Sequence, residues 1–302
     1  MWKYYALLVA FRLLGRLPRR VIYAVARLAA DGAYLLRPRI RRHVQANMRH
    51  VLGPGASPSQ VARAAREAVR NAARYYADMI RMPHMDVEEF YQRDLTLEGL
   101  HHLRKAMDEG KGTVLVSAHF GNPEIAVQGL AAVGIPVLAL TEPLEPPQLF
   151  ALTQRLRSAQ GHTHLPAGFG GVKEALRRLR SGGVVAILID RDIQQSGLPM
   201  PFCGSEARMP TGAVELALRT GAELIPAIVY RERGFRYHAY MGPPFRLVRT
   251  GDQERDVLLN SANLLSLFER HLRSDPGQWA VLEPVWPENS SEAASPRPGT
   301  VE

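Results

Sequence analysis

The sequence predicts an α/β fold, a layered αβα arrangement around a central and mostly parallel sheet, preceded by an N-terminal helical region associated with a membrane. From Leu97 onward, helical and strand-like segments alternate along the chain, which is typical of a parallel sheet with helices on both faces. The runs 113–117 and 184–189 are short, apolar and rich in β-branched residues, and they predict interior strands. Basic and apolar residues are interleaved before residue 43, and this pattern predicts the N-terminal region.

The overall composition is that of an ordinary globular protein. Of the 302 residues, 46% are hydrophobic and 22% are charged, so the chain can bury a sizeable core and most of it is not intrinsically disordered. Cys203 is the single cysteine, which excludes an intramolecular disulfide and a zinc site built from cysteines. The fold therefore does not depend on an oxidising compartment, and a location facing the cytosol fits best.

The excess positive charge lies at the N-terminus. Residues 1–43 contain ten Lys and Arg residues and one acid, Asp31, whereas the other 28 basic residues are matched by 28 acidic residues. The basic residues alternate with aromatic and leucine side chains, as in a helix that lies in the interface of an anionic membrane. The uncharged run 4–11 is too short to span a bilayer. A helical hairpin packed on the body of the protein is the alternative, and nucleic-acid binding is disfavoured because no recognised motif accompanies the charge.

Helix and strand signals divide the chain into a helical region (1–90), an α/β domain (91–286) and a tail (287–302) whose Ser, Glu and Pro content predicts disorder. In the first region, Ser57 and Pro58 open a helix that runs to about Arg81. In the second, the patterns predict helices at 98–109, 122–133, 146–158, 171–180, 211–220 and 256–273, and strands at 113–117, 135–140, 184–189, 224–230, 235–241 and 279–283.

His119 follows the first interior strand at the point where the chain turns into a helix. Asn122 is a preferred helix N-cap and Pro123 a preferred first helical residue, so His119 belongs to a strand-to-helix turn, where open parallel sheets bind ligands. Glu124, in the first helical turn, can lie beside the imidazole, fix its tautomer and stabilise its charge when it takes a proton. The pattern predicts a catalytic histidine, and the alternative is a histidine that only satisfies local hydrogen bonds.

The second interior strand, at 184–189, ends in Asp190-Arg191-Asp192. Two acids and an arginine at a buried strand end are costly unless they are paired or contact a ligand. Because the carboxyl ends of parallel strands meet at one sheet edge, we expect this triplet near His119. Arg191 can bind a phosphate or hold the two acids, and a salt-bridged turn is the structural alternative.

Other candidates carry weaker signals. The glycine-rich run at 168–171 precedes a helix but lacks the Gly-Lys-Ser/Thr ending of a P-loop. His162 and His164 alternate as zinc ligands do, yet no nearby Cys or acid completes a site. We therefore expect solvated histidines in a loop, with 161–171 a candidate mobile segment, and we expect no metal site.

Several motifs recur in a fixed order along the chain. They are the run from Gly112 to Glu124 with its His-x4-Glu pattern, Asp190-Arg191-Asp192, Pro201-Phe202-Cys203-Gly204, Met209-Pro210-Thr211-Gly212 and Arg219-Thr220-Gly221-Ala222. Together they resemble the lysophospholipid acyltransferase superfamily over roughly residues 1–286. Within it, the resemblance is to the branch of the lipid A lauroyl/myristoyl acyltransferases and the mycobacterial phosphatidylinositol mannoside acyltransferases.

The resemblance implies transfer of an acyl group from acyl-CoA or acyl carrier protein to a hydroxyl of a glycolipid or lysolipid. It implies no cofactor, no nucleic acid, and a peripheral or monotopic enzyme at the cytoplasmic face of the inner membrane, held to anionic lipid by residues 1–43. His119 matches the family's general base and Glu124 its motif acid, and Asp190 or Asp192 matches a second acid that completes a dyad with the histidine. Substrate contacts are implied for Asn122, Arg191, Arg208, Met209, Pro210, Thr211 and Gly212.

Pro123 departs from the bulky residue that the family often has before the motif acid, so the turn is expected to survive without that lipid-facing contact. Cys203 has no base near it in the sequence, and a covalent acyl-enzyme is not expected. Two other functions stay open at this point. One is a lipid or thioester hydrolase that activates water with the same residues, and the other is a catalytically silent membrane-binding protein.

Overall fold

The computed structural model describes residues 1–286, and the tail that we predict at 287–302 lies outside the described residues. The helices are α1 (Trp2–Leu14), α2 (Arg19–Leu36), α3 (Pro38–Leu52), α4 (Pro58–Arg81), α5 (Val87–Arg93), α6 (Leu100–Asp108), α7 (Pro123–Ala132), α8 (Pro147–Arg157), α9 (Phe169–Arg180), α10 (Gly212–Thr220) and α11 (Gln253–Ser274). The strands are β1 (Leu95–Glu98), β2 (Thr113–Ser117), β3 (Val137–Thr141), β4 (Thr163–Pro166), β5 (Val184–Leu188), β6 (Leu198–Phe202), β7 (Ser205–Met209), β8 (Glu223–Arg231) and β9 (Tyr237–Met241).

The predicted α/β fold with a mostly parallel sheet is confirmed. Seven strands form one sheet in the order β1-β9-β8-β2-β5-β3-β4. Strands β8, β2, β5, β3 and β4 run parallel, while β9 is antiparallel to β8 and pairs in parallel with β1. In the register of the central pair, Ser117 of β2 lies opposite Leu188 of β5, so the residues after these two strands emerge side by side at one edge of the sheet.

Helices cover both faces of the sheet, because alternate residues of its buried strands point to opposite sides. Val114 packs in a core cluster that includes Ala175 of α9 and Leu264 of α11. Leu115, the next residue, packs in a different cluster with Leu103 of α6 and Leu130 of α7. All five residues of β2 are buried, so the strand that leads to His119 is fixed on both faces.

The N-terminal helices α1 to α4 pack on the body of the protein, with α1 against α8 and α3 against α11. Helix α4 begins with a capping box in which Ser57 and Gln60 bond each other's backbone, a local signal that the sequence predicts well. Val44 of α3 and Ala65 of α4 share the main core cluster with the sheet. The division of the chain at residue 90 into two domains stays a prediction.

Four strands were not predicted from the sequence, and one predicted strand is absent from the described residues. Strands β1 and β4 occupy segments that we expected to be loop or helix, and β6 and β7 form a separate antiparallel hairpin. Pro199 and Pro201 lie within β6, and proline disfavours a strand assignment from sequence. The strand predicted at 279–283 is wrong, because Trp279 makes only an isolated bridge with Phe120.

Candidate active site

The turn after β2 is built by local signals and by one close approach. Gly121 has a φ of +63°, and a Cβ there would lie 1.9 Å from the carbonyl oxygen of Val229, so a side chain is excluded by both conformation and space. The Asn122 side chain accepts a hydrogen bond from the Ile125 amide at 3.1 Å, and Pro123 is the first residue of α7. The predicted N-cap is confirmed, and His119 lies on a rigid turn.

His119 pairs with Asp190, not Asp192. The imidazole Nδ1 lies 2.8 Å from Asp190 Oδ1, and the His119 backbone amide donates to Asp190 Oδ2 at 2.8 Å. The Trp279 indole also donates to Asp190 Oδ2, at 2.7 Å. Asp190 follows β5 as the sequence predicts, and three donors from two other segments hold its carboxylate.

Asp190 is fully buried and yet held in its ionised form. Burial alone would raise the pKa of the carboxyl, but the facing His119 and the hydrogen bonds from His119 and Trp279 outweigh it and lower the pKa below its usual value. An ionised carboxylate can only accept hydrogen bonds, so Nδ1 of His119 carries the ring proton. The other nitrogen, Nε2, then presents its lone pair, and the side chain is 22% exposed.

Glu124 pairs with an arginine and not with the histidine. Its Oε1 lies 2.7 Å from Arg157 Nε, and both side chains are nearly buried. The hydroxyl of Tyr75 accepts from Arg157 Nη2 at 3.3 Å, and burial together with the Glu124 charge raises the pKa of Tyr75 well above its usual value. We expected that Glu124 can lie beside the imidazole, whereas the structure gives that position to Asp190.

The remaining charged residues of the triplet have other partners. Asp192 accepts from the amides of Ser196 and Gly197, at 3.2 and 2.8 Å, and so holds the loop after β5. Arg191 pairs with Glu142 at 3.0 Å and Glu283 at 2.8 Å. Of the two roles considered for Arg191, the structure does not show the one in which it holds Asp190 and Asp192, because its guanidinium pairs with Glu142 and Glu283.

The segment from Arg208 to Gly212 is divided between the surface and the core. Arg208 is exposed on β7 and Gly212 is exposed at the start of α10, whereas Met209 is fully buried in the main core. Thr211 occupies the N-cap position of α10, but its hydroxyl donates to Glu215 at 2.6 Å and makes no cap hydrogen bond. A substrate contact by any of these residues stays a prediction.

A buried hydrogen-bond and ion-pair network, which we did not predict from the sequence, contacts the turn that holds His119 through Asn122. Asp78 of α4 pairs with Arg231 of β8 at 2.8 Å and accepts from the Asn122 amide at 2.7 Å. The hydroxyl of Tyr23, on α2, also donates to Asp78 and accepts from Arg231 at 3.0 Å. These residues are up to 208 positions apart, so no local pattern brings them together. The network joins the N-terminal helix α2 to the turn that holds His119.

Three other reactive side chains, those of His162, His164 and Cys203, are buried. His162 and His164 are buried, at 3% and 6% exposure, so the expectation of solvated loop histidines is wrong, and His164 belongs to β4. Cys203 is buried, and burial raises the pKa of its thiol to about 12, which keeps it protonated and a poor nucleophile. Across the described residues, no group of three or more His, Cys, Asp or Glu side chains could hold a metal ion.

The sequence matches a known protein family over the whole described chain. Residues 1–288 match the family of the bacterial lipid A biosynthesis acyltransferases. The chain belongs to this family. This acyltransferase is 30% identical, over 301 residues, to the phosphatidylinositol mannoside acyltransferase of Mycobacterium tuberculosis (strain CDC 1551 / Oshkosh), and the match covers 97% of this chain and 90% of the relative.

A relative from a second organism carries the same name. The acyltransferase is 28% identical over 297 residues to the phosphatidylinositol mannoside acyltransferase of Mycolicibacterium smegmatis (strain ATCC 700084 / mc(2)155), covering 96% of this chain and 93% of the relative. The resemblance inferred from the motifs is thus confirmed, and so is the prediction of an acyltransferase. Within the described part of the chain, no helix is both long and apolar enough to cross a bilayer.

Proposed function

We propose that this acyltransferase moves a fatty acyl group from a thioester donor, acyl-CoA or acyl carrier protein, to a hydroxyl of a glycolipid, with His119 as the general base. The observation that carries the proposal is the pairing of His119 Nδ1 with the buried Asp190 carboxylate at 2.8 Å. That pairing leaves Nε2 as a partly exposed base on a rigid turn. A base held in one tautomer by a buried acid is suited to proton transfer at neutral pH.

The reaction needs one proton carrier. Nε2 of His119 takes the proton of the acceptor hydroxyl while that oxygen attacks the thioester carbonyl, and the Asp190 carboxylate stabilises the resulting imidazolium. Backbone amides near the start of α7 are candidates to stabilise the tetrahedral oxyanion. When the carbon–sulfur bond breaks, the thiolate takes the proton back from Nε2, and the products are the ester and the free thiol. Direct transfer of this kind leaves no role for the buried thiol of Cys203.

The relatives suggest the class of acceptor. Relatives of this chain from two organisms are named phosphatidylinositol mannoside acyltransferases. We therefore propose a mannosylated or similarly glycosylated phospholipid as the acceptor for this chain. Such a lipid presents its sugar hydroxyls at the bilayer surface, so the enzyme must work against a membrane.

The N-terminal helices offer a surface for that contact. On α2, Ile22 and Tyr34 are buried, while Val21, Val25 and Leu28 are exposed, Leu28 at 73%. On α1, three exposed apolar side chains, Tyr5, Val9 and Leu13, follow each other at intervals of four residues and so lie on one face. Apolar faces beside the ten basic residues of 1–43 are suited to an anionic interface, and we propose that these helices hold the enzyme to the cytoplasmic face of the plasma membrane.

Product analysis tests the proposed reaction. Purified protein is incubated with radiolabelled palmitoyl-CoA, or with palmitoyl-acyl carrier protein, in the presence and absence of vesicles that contain phosphatidylinositol mannoside. We expect a labelled mannoside one acyl chain heavier, formed only when the acceptor is present. Free palmitate as the sole product in both conditions would contradict transfer and indicate a hydrolase.

A further inference from the structure

The segment from Gln278 to Ala280, which we call the Trp279 segment, is bonded to the turn that holds His119. The Gly121 amide donates to the Gln278 carbonyl at 3.0 Å, and the Ala280 amide donates to the His119 carbonyl at 2.8 Å. These two backbone hydrogen bonds lie on either side of the tryptophan. The position of its side chain is therefore set by the same turn that sets the position of the histidine.

Asn71, on α4, holds both partners of this contact. Its side-chain amide donates to the Gly121 carbonyl at 3.2 Å and to the Gln278 carbonyl at 2.7 Å. Its side-chain oxygen accepts from Arg231 Nε at 2.9 Å, and the residue is 1% exposed. An asparagine has two amide hydrogens to donate, and both are used here. The bonds of this buried side chain join α4 to the turn and to the Trp279 segment.

The side chain of Gln278 fixes the Trp279 segment to the sheet. Its Oε1 accepts from the Arg231 amide at 2.7 Å, and its Nε2 donates to the Arg231 carbonyl at 3.2 Å. Arg231 is the last residue of β8, which pairs with β2. The segment is thus held by the turn, by α4 and by the sheet.

Trp279 contacts Asp190 from this fixed position. Its ring is fully buried and packs near Phe202 and Trp286, with ring centroids 6.1 and 6.2 Å away. The indole Nε1 donates to Asp190 Oδ2 at 2.7 Å, and the His119 backbone amide donates to the same oxygen. Two donors on Oδ2 restrict rotation of the carboxylate and leave Oδ1 for Nδ1 of His119, 2.8 Å away.

Loss of the Trp279 bond should affect the acid in two ways. The bond is one of the causes that lower the pKa of Asp190, because a donor favours the ionised carboxylate. It also restricts the orientation of the carboxylate, and catalytic groups are sensitive to small displacements. Since the Trp279 ring has no exposed surface, it offers the substrates no contact, and its effect on the reaction is expected to pass through Asp190.

We propose that Trp279 and Asn71 are positioning residues of the acyl transfer. Trp279 orients the Asp190 carboxylate against Nδ1 of His119, and Asn71 fixes the Trp279 segment to the turn that holds the histidine. This inference rests on the proposed function, because it adds to the proposed base and its acid the residues that hold them in place.

A double-variant cycle tests the action of Trp279 through Asp190. The kcat and both KM values, for palmitoyl-CoA and phosphatidylinositol mannoside, are measured for the wild type, Trp279→Phe, Asp190→Asn and the double variant. Trp279→Phe keeps an aromatic ring and removes a hydrogen bond to a charged group, so kcat should fall by about tenfold or more while both KM values stay near those of the wild type. In the Asp190→Asn background, where no carboxylate is left to orient, the same change should lower kcat by less than about threefold. Losses that multiply in the double variant would overturn the action through Asp190.

Trp286→Phe is the matched control for packing. Trp286 is also fully buried, stacks on Phe202 at 5.5 Å between ring centroids, and donates to the Phe202 backbone carbonyl at 3.3 Å. Urea unfolding should show that both tryptophan variants are folded and less stable than the wild type, whereas kcat should fall only in Trp279→Phe. Equal losses of kcat in the two variants would indicate a packing role and overturn the assignment of Trp279.

Asn47→Ala is the matched control for Asn71→Ala. Asn47, fully buried on α3, donates to the carbonyls of Val281 and Glu283 at 3.3 and 2.7 Å and accepts from the Val285 amide at 3.3 Å. It therefore holds the chain just beyond the Trp279 segment with the same kinds of bond. Both variants should be less stable in urea, but only Asn71→Ala should lower kcat, by about tenfold or more, with both KM values unchanged. A kcat for Asn71→Ala equal to that of Asn47→Ala would overturn the role of Asn71.

Hydrogen exchange makes the test of Asn71 independent of turnover. The Gly121 amide forms one of the two bonds between the turn and the Trp279 segment, and its exchange rate is measured by NMR relative to the amides of β2. We expect this amide to exchange about tenfold or more faster in Asn71→Ala than in the wild type, and at the wild-type rate in Asn47→Ala. Unchanged exchange in Asn71→Ala would overturn the inference, whereas absence of transfer by the wild type itself would overturn the proposed function.

Discussion

Replacing Asp190 by asparagine should remove most of the activity while leaving the protein folded. The carboxylate receives three hydrogen bonds, from the His119 amide, His119 Nδ1 and the Trp279 indole, at 2.8, 2.8 and 2.7 Å. The asparagine amide has only one oxygen to accept them, so at least one donor is left without a partner. The variant also lacks the negative charge that stabilises the His119 imidazolium.

The expected magnitudes follow from these contacts. Loss of a hydrogen bond to a charged, buried group lowers the free energy of unfolding by about 1.5–3 kcal/mol, which a folded domain of this size tolerates. Loss of oriented general-base catalysis lowers kcat by about 100- to 10,000-fold, equivalent to roughly 3–5 kcal/mol in the activation barrier. The effect on catalysis should therefore exceed the effect on stability.

The assay pairs initial rates of labelled palmitoyl transfer with urea unfolding of the same preparations. Asp192→Asn is the matched control, because Asp192 accepts only from the amides of Ser196 and Gly197 in the following loop. These bonds also go to a charged carboxylate, so the control should lose about 1.5–3 kcal/mol of unfolding free energy, a loss similar to that of Asp190→Asn. Because they lie outside the His119–Asp190 pair, the control should lose less than about tenfold in kcat. A larger loss in Asp192→Asn than in Asp190→Asn would refute the assignment of Asp190 as the partner of His119.

Three further predictions address the network, the pH dependence and the membrane surface. Tyr23→Phe should lower the unfolding free energy by about 1.5–3 kcal/mol and also lower kcat, because the Tyr23 hydroxyl bonds the Asp78–Arg231 ion pair beside the turn that holds His119. Tyr34→Phe loses two neutral hydrogen bonds, to the Ala62 carbonyl and from Gln45, and should lower the unfolding free energy by about 1–3 kcal/mol while keeping the wild-type kcat. A wild-type kcat in Tyr23→Phe would contradict the coupling. Burial lowers the pKa of His164 to about 4, below the value of about 6.5 in an unfolded chain, so the unfolded state binds more protons between these values. Lowering the pH through that window should reduce the unfolding free energy by about 3 kcal/mol more in the wild type than in His164→Leu, and parallel urea titration curves would argue against it. Leu28→Ser should weaken flotation with anionic vesicles by about tenfold or more, while Leu258→Ser, on α11 and 41% exposed, should bind as the wild type does.

The turn that holds His119 could be predicted from sequence because its signals are local. A buried β-branched strand, a glycine with positive φ, an Asn N-cap and a Pro at the first helical position lie within about ten residues, and the strand at Thr113–Ser117 and the helix after it are found where they were expected. The capping box at the start of α4 is a signal of the same kind.

The partners of His119 could not be predicted in the same way. Asp190 and Asp192 are two residues apart, and which of them faces the imidazole depends on the register of β5 against β2. Trp279 lies 89 residues from Asp190, and nothing in its neighbourhood indicates a contact with the site. Glu124 has the right spacing for His119, but Arg157 on α8 takes its carboxylate, a pairing that only the packing of α7 against α8 decides.

Strand β4 and the burial of its His164 could not be predicted from the sequence either. Strand β4 has four residues and contains His164, so its pattern is too short and too polar to indicate a strand. Burial of His164 results from its position at the edge of the main sheet under α8 and not from any apolar run of its own. Short elements of this kind are fixed by their neighbours.

The role of His119 as the base is tested most directly by the single-turnover rate of acyl transfer by His119→Ala, with palmitoyl-CoA and phosphatidylinositol mannoside both saturating. His101→Ala, which changes an exposed histidine on α6, is the control, and circular dichroism verifies that both variants are folded. We predict that His119→Ala loses transfer by about 100-fold or more, while His101→Ala transfers at the wild-type rate. Transfer by folded His119→Ala at the wild-type rate would contradict the claim that His119, paired with Asp190, is the base.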